Sequence, residues 1–240
     1  LRLPRVWMGL LAGGALGLAG GVYQTLFGNP LASPDLTGVA SGASLGAACA
    51  IVLGAGTSAQ IMGGAFLMGM ASLVLVLALV RWAGLERTGT YILAGVIISS
   101  AADAGLMVLK TVADPEGELA AIEFWTMGSL SAMADKVWPA AAAILIPALL
   151  IFLFRQRLLI LSMGEESART MGLAPGPWRS LLLGLTTLMV AAVVSVAGVV
   201  AFVGLIAPHI AFLLLGRRGG PYLPLCALVG GDILLAADLL

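Results

Sequence analysis

A succession of apolar runs, each about as long as a bilayer is thick, decides most of what this chain can become. A helix needs about 20 mostly apolar residues to cross the hydrocarbon core. Runs of that kind follow one another at Val6 to Phe27, Gly38 to Gly56, Ile61 to Val80, Thr90 to Val112, Val137 to Phe154 and Leu181 to Val200. Two further apolar pieces follow, Ala201 to Leu215, short for a span, and Leu223 to Leu240. Backbone amides find no water inside a bilayer, so spanning segments are helices or closed barrels, and these runs lack the period-two alternation of barrel strands. Residues are 60% hydrophobic and only 10% charged, against about 25% charged in soluble domains. The expected fold class is therefore all-α, a polytopic transmembrane helix bundle forming one domain over residues 1–240. The chain opens at Leu1 rather than methionine and stops inside an apolar run, so a fragment is expected, and no signal peptide can be recognised.

Twelve basic and twelve acidic residues cancel, which gives no reason to expect nucleic acid as a partner. Their placement says more, because Lys and Arg gather on the cytoplasmic side of short loops. With the Gly28 to Thr37 turn inside, alternation places Arg81, Arg87, Arg155, Arg157, Arg169, Arg179, Arg217 and Arg218 inside as well. The outer side then receives Arg2, Arg5, Lys110 and Lys136 with the acidic group Asp114, Glu116, Glu118, Glu123 and Asp135. The 32 glycines include Gly9, Gly13, Gly17 and Gly21, and Gly42 with Gly46. Spacing by four puts such residues on one helical face, where backbones approach closely.

Between two long apolar runs lies a polar island, Ser162 to Leu173. Ser162 and Glu165 stand in the Ser-x-x-Glu relation of a capping box, and Gly172 sits where a left-handed C-cap is expected, so the island is predicted to be a short helix. Ala168 and Met171 are expected on one face, with Glu165, Glu166 and Arg169 as charged surface open to water or a soluble protein. A docking site and a plain surface helix closing a cytoplasmic loop both fit these residues.

Other features are fewer. The segment Ala113 to Lys136, with Ile122, Phe124 and Trp125, is predicted to be an interfacial helix on the outer side. Cys49 and Cys226 are expected to be small buried hydrophobes. No Gly-x-x-x-x-Gly-Lys-Ser/Thr loop is present, so ATP-driven work would have to come from another chain. The single histidine, His209, has no neighbouring His or Cys with which to build a metal site. Pro208 is expected to break the helix there and free carbonyls that the His209 ring could bond; the alternative is a proton relay. Asp103, inside an apolar run, either lines a watery pathway or packs against helix termini, and Asp232 and Asp238 allow the same two readings. The proline-stiffened turn Asn29 to Pro34 and the turn Leu85 to Thr90 could be inner gates or plain connections.

Several of these segments, taken in order, resemble one family. They are Arg2-Leu3-Pro4-Arg5 before a glycine-rich span, Asn29-Pro30-Leu31-Ala32, Leu93-Ala94-Gly95-Val96 and Trp125-Thr126-Met127-Gly128-Ser129-Leu130. Gly164-Glu165-Glu166-Ser167-Ala168-Arg169 and Phe202-Val203-Gly204-Leu205-Ile206-Ala207-Pro208-His209-Ile210 complete the set. Their order is similar to that in permease subunits of bacterial iron-siderophore, haem and vitamin B12 ABC importers, over essentially the whole chain. The resemblance implies a type II importer permease of the cytoplasmic (inner) membrane of a bacterium. Such a permease usually has ten transmembrane helices, so the first would precede Leu1 and the last would lie beyond Leu240. It implies pairing with a second permease subunit, two cytoplasmic ATPase subunits that carry the ATP and Mg, and a periplasmic or lipid-anchored binding protein. This chain would hold no cofactor or metal and would not be an enzyme. By the same mapping, residues 162–173 become a cytoplasmic coupling helix, with Gly164, Glu165, Glu166, Ser167, Ala168, Arg169, Met171 and Gly172 meeting the ATPase. Asn29, Pro30 and Leu31, with Arg87 and Thr88, become the inner gate. One departure is visible: family members often carry an arginine at the position of Phe212. The rival class is a proton-coupled secondary transporter using Asp103 or His209.

Overall fold

The computed structural model describes residues 2–55, 57–84, 88–130 and 137–239. Among them lie eleven α-helices, one 3-10 turn at Pro34–Thr37 and no strand. The chain divides into two compact units, residues 1–34, 133–190 and 201–240, and residues 35–132 and 191–200.

The first unit is built around α1 (Arg2–Leu26), which is buried on nearly every side, Met8, Ala12, Ala19, Val22 and Tyr23 all being inaccessible. An apolar helix without a polar face must be surrounded, and the glycine ladder lets the neighbours come close. A β-carbon at Gly13 would collide with the Gly230 carbonyl, and one at Gly17 with the Cys226 carbonyl, both on α11 (Tyr222–Leu239). Gly9 and Gly21 face Leu235 and Cys226 of the same helix, so the four-residue spacing packs one seam as expected. One residue round from Gly21, Gly20 meets the Gly204 carbonyl of α10 (Val203–Leu215). Pro208 lies inside α10 and does not end it, contrary to expectation. Its missing amide leaves the carbonyl of Gly204, four residues back, without its helical donor, and that carbonyl is the one packed onto Gly20. A polar knot closes the junction of α1, α10 and α11. The Gln24 amide donates to the Leu205 carbonyl (3.2 Å), the Tyr222 hydroxyl bonds the Pro208 carbonyl (3.3 Å), and Arg218 donates to the Gln24 carbonyl (2.9 Å).

The predicted run Val137 to Phe154 becomes α6 (Val137–Leu153), followed at once by α7 (Arg155–Ser162). The two bend by 61° at Phe154, where Arg155 and Arg157 on the next turn belong in water or headgroups rather than hydrocarbon. α8 (Glu165–Thr170) and most of α9 (Pro175–Ala197) complete the unit.

In the second unit α2 (Val39–Val52) packs on α3 (Ser58–Ala83) through Gly42 and Gly46, whose added β-carbons would strike Ser72 and the Gly64 carbonyl. The run predicted to reach Gly56 stops after 14 residues. Gly54 takes a left-handed φ of 80°, and the amides of Gly54 and Ala55 turn back to Ile51 and Ala50, a Schellman stop. At about 1.5 Å per residue α2 is too short for a full crossing. Helix α3 opens on a capping box formed by Thr57 and Gln60. Helix α4 (Thr88–Val112) rests on α2 and α3 but has only 17% of its apolar window buried. Within the segment Ala113 to Lys136 a helix does form, α5 (Glu118–Met127), whose Ile122 packs with Ala48, Ile51 and Ala113 and whose Glu123 pairs with Lys110 at 2.8 Å. Cys226 is buried as expected, but Cys49 is only half-buried.

Candidate functional site

The polar island folds as an elbow: α7 ends at Ser162, the chain turns at Met163 and Gly164, and the expected short helix follows as α8, Glu165–Thr170. Leu158 and Leu161 point into the core, so α7 runs on through Ser162. The Ser162 hydroxyl donates to the Leu159 carbonyl at 2.7 Å, within its own helix. The predicted Ser162–Glu165 capping box therefore does not form, because a capping serine must sit outside the helix it starts. The break comes at Gly164, which has φ 101° and ψ 160° and no side-chain cap. That backbone region is essentially open to glycine alone. The Gly172 cap does form: φ is 76°, Gly172 N donates to the Arg169 carbonyl at 3.0 Å and Leu173 N to Ala168 at 2.9 Å. This is the two-bond Schellman pattern, with buried Leu173 above buried Ala168 as its apolar clasp.

The clasp changes the faces predicted for α8. Ala168 points inward and is inaccessible, whereas Met171, at the C-cap, is 54% exposed, so they do not share a face. Glu165 and Glu166 also part company. Glu165 is half-buried and its Oε1 lies 2.8 Å from Nη1 of Arg179 on α9, an arginine that is itself buried. Glu165 also faces Arg169 one turn on, at 3.8 Å. What remains open is a small surface of Met163, Gly164, Glu166, Arg169, Thr170, Met171 and Gly172, with Ser167 half-buried beside it. Beneath it Trp178 of α9 is held from both sides. The Phe154 ring meets it edge-on at 5.1 Å, and the Arg157 guanidinium lies 5.1 Å from its centroid. Such contacts contribute about 0.5–1.5 kcal/mol for the ring pair and about 0.5–1 kcal/mol for the cation. No local pattern marks Arg157, Trp178 or Arg179 as site residues, since their partners are distant in the chain.

Asn29, Pro30 and Leu31 form the expected tight turn: Asn29 Oδ1 accepts from Leu31 N at 2.9 Å and the Asn29 carbonyl from Ala32 N at 3.1 Å. Leu31 is 72% exposed over it. Thr88 begins α4; Arg87 lies outside the described residues, as do Leu85, Glu86, Asp135 and Lys136. Asp103 is exposed on the open face of α4 beside Met107, and not packed against helix termini. His209 is exposed, which removes the expectation of a ring buried among freed carbonyls. Asp238 is paired with Arg5 at 2.7 Å, while Asp232 is exposed. Phe212 lies under the Arg218 guanidinium, 5.6 Å from its centroid, so a positive charge stands beside that position although position 212 carries none. Among the described residues no group of three His, Cys, Asp or Glu side chains could hold a metal ion.

Among the described residues five helices are long and apolar enough to cross a bilayer, or six with the bent α6–α7 pair taken as one span, so the molecule is a multi-pass helical membrane protein. Residues 1–240 match the FecCD transport family, and the chain belongs to it. It is 34% identical over 239 residues to a cobalamin import system permease of Halobacterium salinarum, covering 99% of this chain and 64% of that protein. It is 33% identical to the hemin transport system permease of Yersinia pestis, covering 100% of this chain and 73% of that one. Against the iron(3+)-hydroxamate import system permease of Salmonella typhimurium it is 35% identical and spans 34% of the relative's length. Its fold superposes on a metal-chelate type ABC transporter solved in an inward-facing conformation, with a TM-score of 0.88, 33% identity, and coverage of 99% of this chain and 77% of that one. PsaBC from Streptococcus pneumoniae shares the fold alone, at a TM-score of 0.63 and 23% identity. The architecture is thus the all-α bundle of type II ABC importer permeases.

Proposed function

We propose that this chain is the permease part of an ATP-driven importer that carries a metal chelate, an iron-siderophore, haem or cobalamin, across the cytoplasmic membrane. In this reading it pairs with a second permease subunit, receives substrate from a periplasmic or lipid-anchored binding protein, and relies on two ATPase subunits for ATP and Mg. The observation that carries the reading is the family match over residues 1–240, joined to a short polar helix, α8, held against the protein core by buried Ala168 and by the Glu165–Arg179 pair. The open residues Gly164, Glu166, Arg169, Met171 and Gly172, with half-buried Ser167, form the surface on which the ATPase docks, and Glu165 and Ala168 hold that surface from behind. Asn29, Pro30 and Leu31, with Arg87 and Thr88, serve the inner gate. Asp103, Pro208 and His209 have pathway or structural roles. Transport follows if closing of the ATPase favours one permease state through its contacts at α8.

The test is reconstitution of the full-length permease with its ATPase in lipid vesicles, using labelled cyanocobalamin, ferrichrome and haemin as probes. Uptake of one probe should require ATP and the ATPase chain. Combined Glu166→Arg and Arg169→Glu changes should abolish ATPase co-purification while the permease still inserts. Uptake that persists without an ATPase and follows a proton gradient refutes the proposal.

A further inference from the structure

The pairing of Glu165 with Arg179 is out of keeping with a helix that merely rests on a surface. α8 has six residues, far too few to be stable alone, so its position is set by what it is fastened to. Arg179 sits one turn into α9 with its side chain only 6% exposed, and its guanidinium reaches the Glu165 carboxylate at the opposite end of α8 from the Gly172 cap. One charge-assisted hydrogen bond, Nη1 to Oε1 at 2.8 Å, ties the Arg179 guanidinium to the Glu165 carboxylate, and a bond of this kind is roughly twice as strong as a neutral one. The neighbouring residue, Trp178, is wedged between Phe154 and Arg157 at the α6–α7 bend. Successive residues of α9 thus grip both arms of the elbow. Because α9 continues as an apolar helix of 23 residues, anything that displaces α8 pulls on a helix long enough to cross the membrane.

We propose that Arg179 is a positioning residue for coupling: through Glu165 it locks α8 to α9, so that the two move as one body and force applied at α8 enters the membrane along α9. This rests on the docking role proposed for α8 above. It also divides the two adjacent glutamates, Glu166 meeting the partner and Glu165 holding the strut.

The experiment uses the full-length permease in lipid nanodiscs, with spin labels on cysteines replacing Met171 on α8 and Leu181 on α9, both of them exposed. The unmodified pair should give one narrow distance that stays the same when the ATPase is present and trapped with ATP and vanadate. Arg179→Met and, as a second and less buried change, Glu165→Gln should each broaden that distribution. In the reconstituted importer both should lower probe uptake per ATP hydrolysed about tenfold, the effect of losing roughly one charge-assisted bond. The exchange Glu165→Arg with Arg179→Glu should restore both the narrow distance and the uptake ratio, which a general packing defect would not do. Narrow distances in both single variants, or an exchange variant as defective as the single ones, overturn the proposal. Failure of the docking reading is seen separately, as absence of ATPase co-purification with the unmodified permease.

Discussion

Replacing Gly17 by alanine tests the central seam of the first unit. A β-carbon at this position would overlap the Cys226 carbonyl and come within 3.1 Å of both the Cys226 carbonyl carbon and the Gly230 Cα. Carbon atoms normally settle at about 3.5–4.0 Å, and all three obstacles are backbone, so no rotamer change relieves the clash. The α1 and α11 axes must separate locally by the better part of an ångström. A gap of about 0.5–1 Å forfeits a quarter to a half of each affected contact, and Gly13, Gly21 and Gly230 share the seam. Overpacking of this kind costs about 1–3 kcal/mol, reduced by the gain of about 0.5–1 kcal/mol that alanine offers over glycine inside a helix. Gly184 supplies the control, since it also lies inside a helix but has nothing within 4 Å of an added β-carbon. Unfolding in mild detergent should therefore show Gly17→Ala destabilised by about 1–2 kcal/mol net and Gly184→Ala unchanged or slightly more stable. Equal stability of the two variants would refute close backbone packing as the basis of this seam.

Three further outcomes follow from the same reasoning. Gly172→Val forces a β-branched residue to a φ of 76°, at a cost of about 1–2 kcal/mol; hydrogen exchange over residues 165–170 should accelerate, and unchanged exchange would show that the Schellman cap is dispensable. A double-mutant cycle of Phe154→Ala and Trp178→Ala should give a coupling energy of about 0.5–1.5 kcal/mol in thermal unfolding, and additive losses would mean that the ring contact holds nothing. Phe202 is a bulky residue with φ 67° and an exposed side chain, so Phe202→Gly should raise stability by about 1 kcal/mol, and a fall would show that the ring has a partner that outweighs its backbone strain.

How much of this was legible beforehand can be judged residue by residue. Gly9, Gly13, Gly17 and Gly21 announced a close-packed face by spacing alone, because helical periodicity is local and nearly independent of context. Gly172 was recognisable as a helix stop for the same reason. Ser162 misled because a capping box is defined by where a helix breaks, and the break is decided by whether Leu158 and Leu161 find a core to enter. The capping box that does form, Thr57 with Gln60, carries the same kind of pattern in the sequence. Glu165 and Glu166 are indistinguishable as letters, and only the arrival of Arg179, 14 residues later, turns one of them inward.

Apolar runs and the positions of charges were enough to establish a helical membrane protein, since hydrophobicity and backbone satisfaction act on each segment by itself. Which helix is central to the first unit, where α6 bends into α7, and that Arg179 fastens α8 to α9 while Trp178 fastens the α6–α7 bend were decided by tertiary structure. Those outcomes depend on pairs of residues far apart in the chain, whose meeting no local pattern encodes.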